Sequence, residues 1–120
     1  MCATAEVERA VQYRVRVKLC ASDDKRELGF GRGIVMLLEG VERLGSLNAI
    51  AKEMGMAYSK AWTVVKRTEE EFGVELLVRE GQRGSTVTEQ ARLLMACYHE
   101  MLRAGDEAAK VVFEKHYGGA

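Results

Sequence analysis

The sequence contains no proline. Proline breaks helix interiors and stiffens extended linkers, so its absence suits a helix-rich chain whose elements are joined by short turns. Cysteine is scarce: Cys2, Cys20 and Cys97 are odd in number and widely spaced, with no C-x-x-C pair. That excludes a disulfide framework and a zinc knuckle and leaves reduced thiols. No apolar run approaches the roughly 20 residues that span a bilayer, and the first residues, Met1 to Glu6, lack the basic start and apolar centre of a secretory signal. A cytoplasmic chain with no membrane partner is expected. An excess of either charge is missing as well, since 18 basic and 18 acidic residues cancel. Domains that bind nucleic acid often carry a basic excess. The total does not settle the matter, because a helix can segregate its charges while the sum stays zero.

What is present is the composition of one folded domain: 120 residues, 48% hydrophobic and 30% charged. Residues 1–12 show neither strand nor helix periodicity and are expected to form a flexible arm or a short helical extension. From Tyr13 to Cys20 the chain alternates strictly, with Tyr13, Val15, Val17 and Leu19 on one side and Arg14, Arg16 and Lys18 on the other, which predicts a half-buried strand. A polar turn over 21–27 follows. Ile34, Leu37, Leu38, Val41 and Leu44 then share one helical face, and Gly45 supplies the stop. Ser46 is placed to cap a short second helix, where Leu47, Ile50, Ala51 and Met54 repeat the stripe as far as Gly55. After a tight turn, a third helix is predicted from about Tyr58 to Phe72, with Tyr58, Ala61, Trp62, Val65 and Phe72 inward and Gly73 as its cap. Two helices joined in this way make a helix-turn-helix.

Beyond Gly73, residues 74–78 and 85–87 read as strands and 80–84 as a glycine-bounded hairpin tip, together a wing. Thr88 caps a last helix in which Ala91, Leu94, Met95, Tyr98, Met101, Leu102, Ala108, Ala109, Val112 and Phe113 keep helical spacing. Continuous to the C-terminus, it would reach about 42 Å, more than one small domain needs to cover. The surplus apolar face calls for a partner molecule, with Leu94, Tyr98, Met101, Leu102, Val112 and Phe113 as the contact residues, a dimer interface if that partner is a second copy. The alternative is a break at Gly105-Asp106, with the final turns folding back on the same domain. The organisation is thus an arm (1–12), a winged helix-turn-helix domain (13–88) and a C-terminal dimerisation helix (89–120). The fold class is mainly α with a small β component, including an N-terminal strand.

The outer face of the third helix collects Lys60, Thr63 and Arg67, flanked by Ser59, Lys66 and Glu70. Arg and Lys can pair with guanine acceptors or phosphates, and threonine offers a hydroxyl or a methyl to a base edge. A solvated polar face is the ordinary state of any amphipathic helix, but the capped helix before this one and the wing after it favour double-stranded DNA as its partner. Lys60, Thr63 and Arg67 are expected to read bases, and Ser46, Ser59, Lys66 and Arg83 to sit on phosphates, with Arg79 and Gln82 beside the wing tip. Glu80 opposes phosphate contact. The run Glu69-Glu70-Glu71 is expected to be a solvated helix end that keeps DNA at the N-terminal half. Tyr58 and Trp62 are expected in the core rather than as base-stacking platforms.

Other constellations exclude chemistry. Gly29-x-Gly31-x-Gly33 matches neither phosphate-loop spacing and reads as turn glycines. Cys97 and His99 point to different helix faces and His116 is far away, so no metal site is expected. No nucleophile, base and orienting acid can be grouped, so neither an enzyme nor a cofactor is expected.

The run from Gly45 to Trp62, with the Gly31-Arg32-Gly33 helix start and the later Leu77-Val78-Arg79 strand, resembles the N-terminal DNA-binding domain of ModE, the molybdate-responsive regulator family, itself related to LysR-type regulators. The likeness covers about residues 13–103 and is most specific at Gly55-Met56-x-Tyr58-x-Lys60-Ala61-Trp62. It implies a bacterial transcriptional regulator that binds operator DNA as a homodimer, with the N-terminal region and C-terminal helix forming the dimer. Departures are plain. The resemblance does not extend to a molybdate-binding portion, so no molybdate site is expected within these residues. Ala57 stands where the family usually has a capping serine, a loss of about 1 kcal/mol. Ser59 and Lys60 replace two basic residues, and the wing is shorter and less glycine-rich. The rival reading is a non-catalytic protein-interaction module that keeps the winged fold.

Overall fold

A computed structural model describes residues 11–118, apart from the side chain of Arg83. The expected arm over 1–12 therefore lies outside the described residues except for its last two. Helix α1 spans Arg32–Leu44 and buries Ile34, Leu37, Leu38 and Val41 as the periodicity predicts; Val35 and Gly40 are also buried, and Leu44 is exposed. Gly45 ends it at φ 85°, a left-handed conformation that favours glycine, and donates its N–H to Val41 O. Ser46 caps α2 (Leu47–Glu53), its Oγ accepting from Ala49 N at 3.1 Å. Gly55 at φ 67° turns the chain into α3 (Tyr58–Phe72), which buries Ala61, Val65 and Thr68. Its N-cap, Ala57, makes no side-chain bond, so the missing hydroxyl is not replaced.

The wing is a two-stranded antiparallel sheet, β1 (Leu77–Arg79) and β2 (Ser85–Val87), in the register Leu77↔Val87 and Arg79↔Ser85. A 3-10 turn at Gly81–Arg83 joins them. β1 begins later than the apolar run 74–78 predicts because the Glu69 carboxylate accepts from Leu76 N and Leu77 N, at 2.7 and 3.3 Å, and so takes donors a longer ladder would need. The wing leans on the end of α1: Ser85 N donates to Gly45 O at 3.0 Å, and a Cβ on Gly84 would collide with that same oxygen.

The N-terminal segment keeps the expected alternation from Arg14 onward, with Val15, Val17 and Leu19 half-buried and Arg14, Arg16 and Lys18 exposed, while Tyr13, expected on the inward side, is exposed. It finds no neighbouring strand over its length, and its ladder pairing reduces to one bridge, Leu19 with Phe30. The turn after it is organised by Glu27, whose buried carboxylate accepts from Ala21 N at 2.6 Å and from Ser22 N and Oγ at 3.1 Å. The Ala21 N–H, aided by Ser22 and by the Lys18 charge, holds this carboxyl below the ordinary glutamate range.

Helix α4 runs unbroken from Glu89 to Tyr117, capped by Thr88, whose Oγ1 accepts from Ala91 N. The break at Gly105-Asp106 does not occur. A glycine inside a helix costs only about 1 kcal/mol, and here its bare backbone lets the N-terminal segment approach: Val15 Cγ1 lies 3.4 Å from where a Cβ would stand. Farther along, Tyr13 packs on Phe113 with ring centroids 4.8 Å apart. Only Ala91, Met95 and Tyr98 of α4 are fully buried, and the described protein is 63 Å long. Its radius of gyration, 18.4 Å, exceeds the roughly 14 Å of a compact chain this size because α4 projects beyond the core.

Candidate nucleic-acid interface

α3 lies with Ala61, Val65 and Thr68 against α1 and α2, which turns Ser59, Lys60, Thr63, Lys66, Arg67 and Glu70 outward, all exposed. Thr63 Oγ1 donates back to Ser59 O at 2.9 Å, a bond within the helix that leaves its methyl and lone pairs outward. Lys60 forms no ion pair among the described residues. Lys66 pairs with Glu69 at 3.3 Å. Arg67 is less free than its position suggests, since it donates to Arg26 O at 3.2 Å and lies 3.8 Å from Glu71.

The glutamate run behaves differently from the expected solvated helix end. Glu71 accepts from Leu28 N at 2.7 Å and Gly29 N at 3.0 Å, and Glu69 accepts from the first residues of the wing; their side chains are only 16% and 10% exposed. Only Glu70 of the three stands in solvent. With Glu27, three carboxylates are thus spent on backbone N–H groups. These carboxylates keep their charge, and Glu69 and Glu71 also pair with Lys66 and Arg67, so of the basic residues on the outer face of α3 only Lys60 lacks an ion pair among the described residues.

At the start of α3 the structure corrects the sequence reading again. Tyr58 is 38% exposed and Trp62 half-buried, neither enclosed in the core. The Trp62 indole N–H donates to Tyr58 Oη, and Arg79 of β1 donates to the same oxygen at 2.8 Å. The Arg79 guanidinium lies over the indole, 4.8 Å from its centroid, and Lys66 Nζ is 5.3 Å from the same ring. The Trp62 hydrogen bond, with that of Arg79 and its charge, holds the Tyr58 phenol below the ordinary tyrosine value.

The remaining expected contacts are scattered. Ser46 has its oxygen engaged in capping α2. Gln82 is exposed at the wing tip, and Arg83 lies in the same turn, its side chain outside the description. Glu80 accepts from Thr86 Oγ1 at 3.3 Å, across the hairpin. On α4, Tyr98 is buried in the protomer's own core, and Leu94 and Leu102 pack against that core. Phe113 is half-buried, between Tyr13 and Tyr117. Met101 and Val112 do face solvent, joined by Leu93 and Val111, which lie outside the predicted stripe. Among the described residues no group of His, Cys, Asp or Glu is placed to hold a metal ion, and no helix is long and apolar enough to cross a membrane.

A polar, partly basic helix presented beside a wing, on a three-helix core, is the geometry of a winged helix-turn-helix, a module that docks on duplex nucleic acid. Residues 35–92 match the family described as bacterial regulatory helix-turn-helix protein, lysR family. That stretch, from α1 into the first turn of α4, is thus similar to the helix-turn-helix DNA-binding domain of that family. The chain is also similar to the solved structure of a probable transcriptional regulator from Pseudomonas aeruginosa, at 23% identity and a TM-score of 0.49, over 64% of this chain and 26% of that one. It thus spans about a quarter of that regulator's length. No curated protein matches the chain.

Proposed function

We propose that the protein regulates transcription by binding duplex operator DNA as a homodimer, in the manner of the ModE-like branch it resembles, inside the cytoplasm. The observation that carries this reading is the outer face of α3, where Ser59, Lys60, Thr63 and Lys66 stand exposed while Glu69 and Glu71 turn inward. In the major groove, Lys60 and Thr63 read base edges, with Arg67 at the margin of the same face. Ser59, Lys66 and the wing residues Arg79 and Gln82 address the flanking backbone.

Dimerisation is supported by α4. Cys97, Met101, Ala104, Ala108 and Val111 follow one another at steps of four, three, four and three, the 3.5-residue period of a helix seam, and Met101 and Val111 are 49% and 69% exposed. This seam replaces Tyr98 and the half-buried leucines as the contact surface. Two-fold symmetry then sets half-sites about one helical turn apart, or a multiple of it. Molybdate forms no part of the reading, because the resemblance is confined to a DNA-binding portion.

Selection from random duplexes, with a Lys60→Ala/Arg67→Ala double variant alongside, tests the reading. An enriched palindrome lost in the variant is expected. A folded dimer that enriches nothing and shows no salt-sensitive binding would transfer the function to the rival, a protein-interaction module working through the α4 seam, whose apolar contact depends little on salt.

A further inference from the structure

Two cations converge on one indole at the corner between α3 and the wing. Arg79 approaches Trp62 from β1 and Lys66 from the next turn of α3, at 4.8 and 5.3 Å from the ring centroid. Lys66 has Glu69 as a counter-charge. Arg79 has no carboxylate partner among the described residues; its one fixed bond is to Tyr58 Oη. That oxygen also receives the Trp62 indole N–H, and the two rings meet edge to face with centroids 6.3 Å apart. The phenol is therefore pinned to the indole and the guanidinium to both. A guanidinium presents five N–H donors in a planar fork. One is used here and one face is covered by the ring, which leaves an exposed edge with donors to spare and its charge unneutralised.

We propose that Tyr58, Trp62, Lys66 and Arg79 form a phosphate anchor at the junction of α3 and β1, in which the aromatic pair holds Arg79 so that its free N–H edge grips one DNA backbone phosphate. The inference rests on the duplex-binding reading and deepens it. Where a helix lies in the major groove and a wing lies beside it, a backbone strand must pass through the corner between them, and that corner is where the cluster sits. Tyr58 and Trp62 are positioning residues: they touch Arg79, and Arg79 touches the phosphate. They also tie the wing to the recognition helix, so that the two meet DNA in one fixed geometry, and Arg79 gives up little side-chain freedom on binding because it is already ordered.

Binding of the full chain to a mixed-sequence duplex longer than one helical turn, measured from about 50 to 200 mM salt, tests the anchor. Arg79→Gln is expected to weaken binding about ten- to hundredfold and to lower the slope of log affinity against log salt by about one. Tyr58→Phe keeps every charge and the ring, so it is expected to lose about two- to tenfold with the slope unchanged, and to cause no further loss in an Arg79→Gln background. Trp62 is the sole tryptophan, and its emission should respond to duplex in the parent and not in Arg79→Gln. Tyr58 and Arg79 are both exposed, so neither substitution empties the core. Superimposable parent and Arg79→Gln curves, in affinity and slope, overturn the anchor while leaving the regulator reading intact. A Tyr58→Phe loss that persists undiminished without Arg79 also overturns it. A parent with no salt-dependent duplex binding removes the regulator reading and the anchor together.

Discussion

Helix α1 carries two glycines whose surroundings are opposite, and replacing each by alanine separates packing from propensity within a single element. A Cβ added to Gly33 meets nothing within 4 Å, whereas one added to Gly40 would stand 2.6 Å from Ile50 Cβ and closer still to Cγ1 and Cδ1. Gly40 is thus where α1 and α2 cross in near contact, and the crossing sets how α2 and then α3 leave the core. Gly33→Ala is expected to stabilise the protein by about 0.5–1 kcal/mol, through helix propensity and a less flexible unfolded chain. Gly40→Ala gains the same propensity but forces a methyl into Ile50, and overpacking of this kind costs about 1–3 kcal/mol. A net loss of up to about 2.5 kcal/mol remains, a fall of up to about 10 °C in Tm. Ile50→Val removes the Cδ1 methyl and should recover part of that loss in the Gly40→Ala background, although alone it costs about 0.5–1.5 kcal/mol. Thermal and urea unfolding at one fixed protein concentration compare the parent and the four variants with any contribution from association held alike. If Gly40→Ala matched Gly33→Ala in stability, the close crossing of α1 on α2 would be refuted.

Two further predictions follow from the loop and from α4. Glu27 has its pKa lowered by the Ala21 N–H and its neighbours, so its carboxylate stabilises the fold above the ordinary range near pH 4.3 and that contribution disappears as pH falls through the depressed value. Glu27→Gln should lower Tm at neutral pH, with the gap to the parent closing on acidification; a gap independent of pH would assign Glu27 no ionic role. On α4, Met101→Glu/Val111→Glu places like charges on the exposed seam and is expected to convert a dimer to a monomer in sedimentation without loss of helix content. A dimer that survives both charges would locate the contact elsewhere, for instance at the Tyr13, Phe113 and Tyr117 aromatic group.

Local signals carried most of the architecture. Apolar spacing placed α1, α2 and α3, the hydroxyls of Ser46 and Thr88 marked helix starts, and glycines at Gly45, Gly55 and Gly73 marked the turns, each with positive φ. These succeed because a helical stripe, a cap or a left-handed glycine acts within a turn or two of its own position. The outward set Ser59, Lys60, Thr63 and Lys66 was readable for the same reason, since a helix with one apolar stripe must expose the other side.

The features that escaped the pattern depend on distant chain segments meeting. Glu71 looks like any solvated helix end until the chain around Leu28, 43 residues earlier, brings backbone N–H groups to its carboxylate. Arg67 reads as a free base contact until Arg26 O takes one of its donors. Tyr58 and Trp62 share a helical arc with core residues, and only the arrival of β1 makes them a seat for Arg79. Periodicity also placed Tyr98 and Met101 in one stripe, but the width of the core encloses the first and leaves the second in solvent. Spacing along a chain specifies which side of an element is apolar. What an exposed carboxylate, guanidinium or ring meets is specified by packing, because hydrogen bonds and cation–aromatic contacts reach only a few ångströms and the partners come from elsewhere in the sequence.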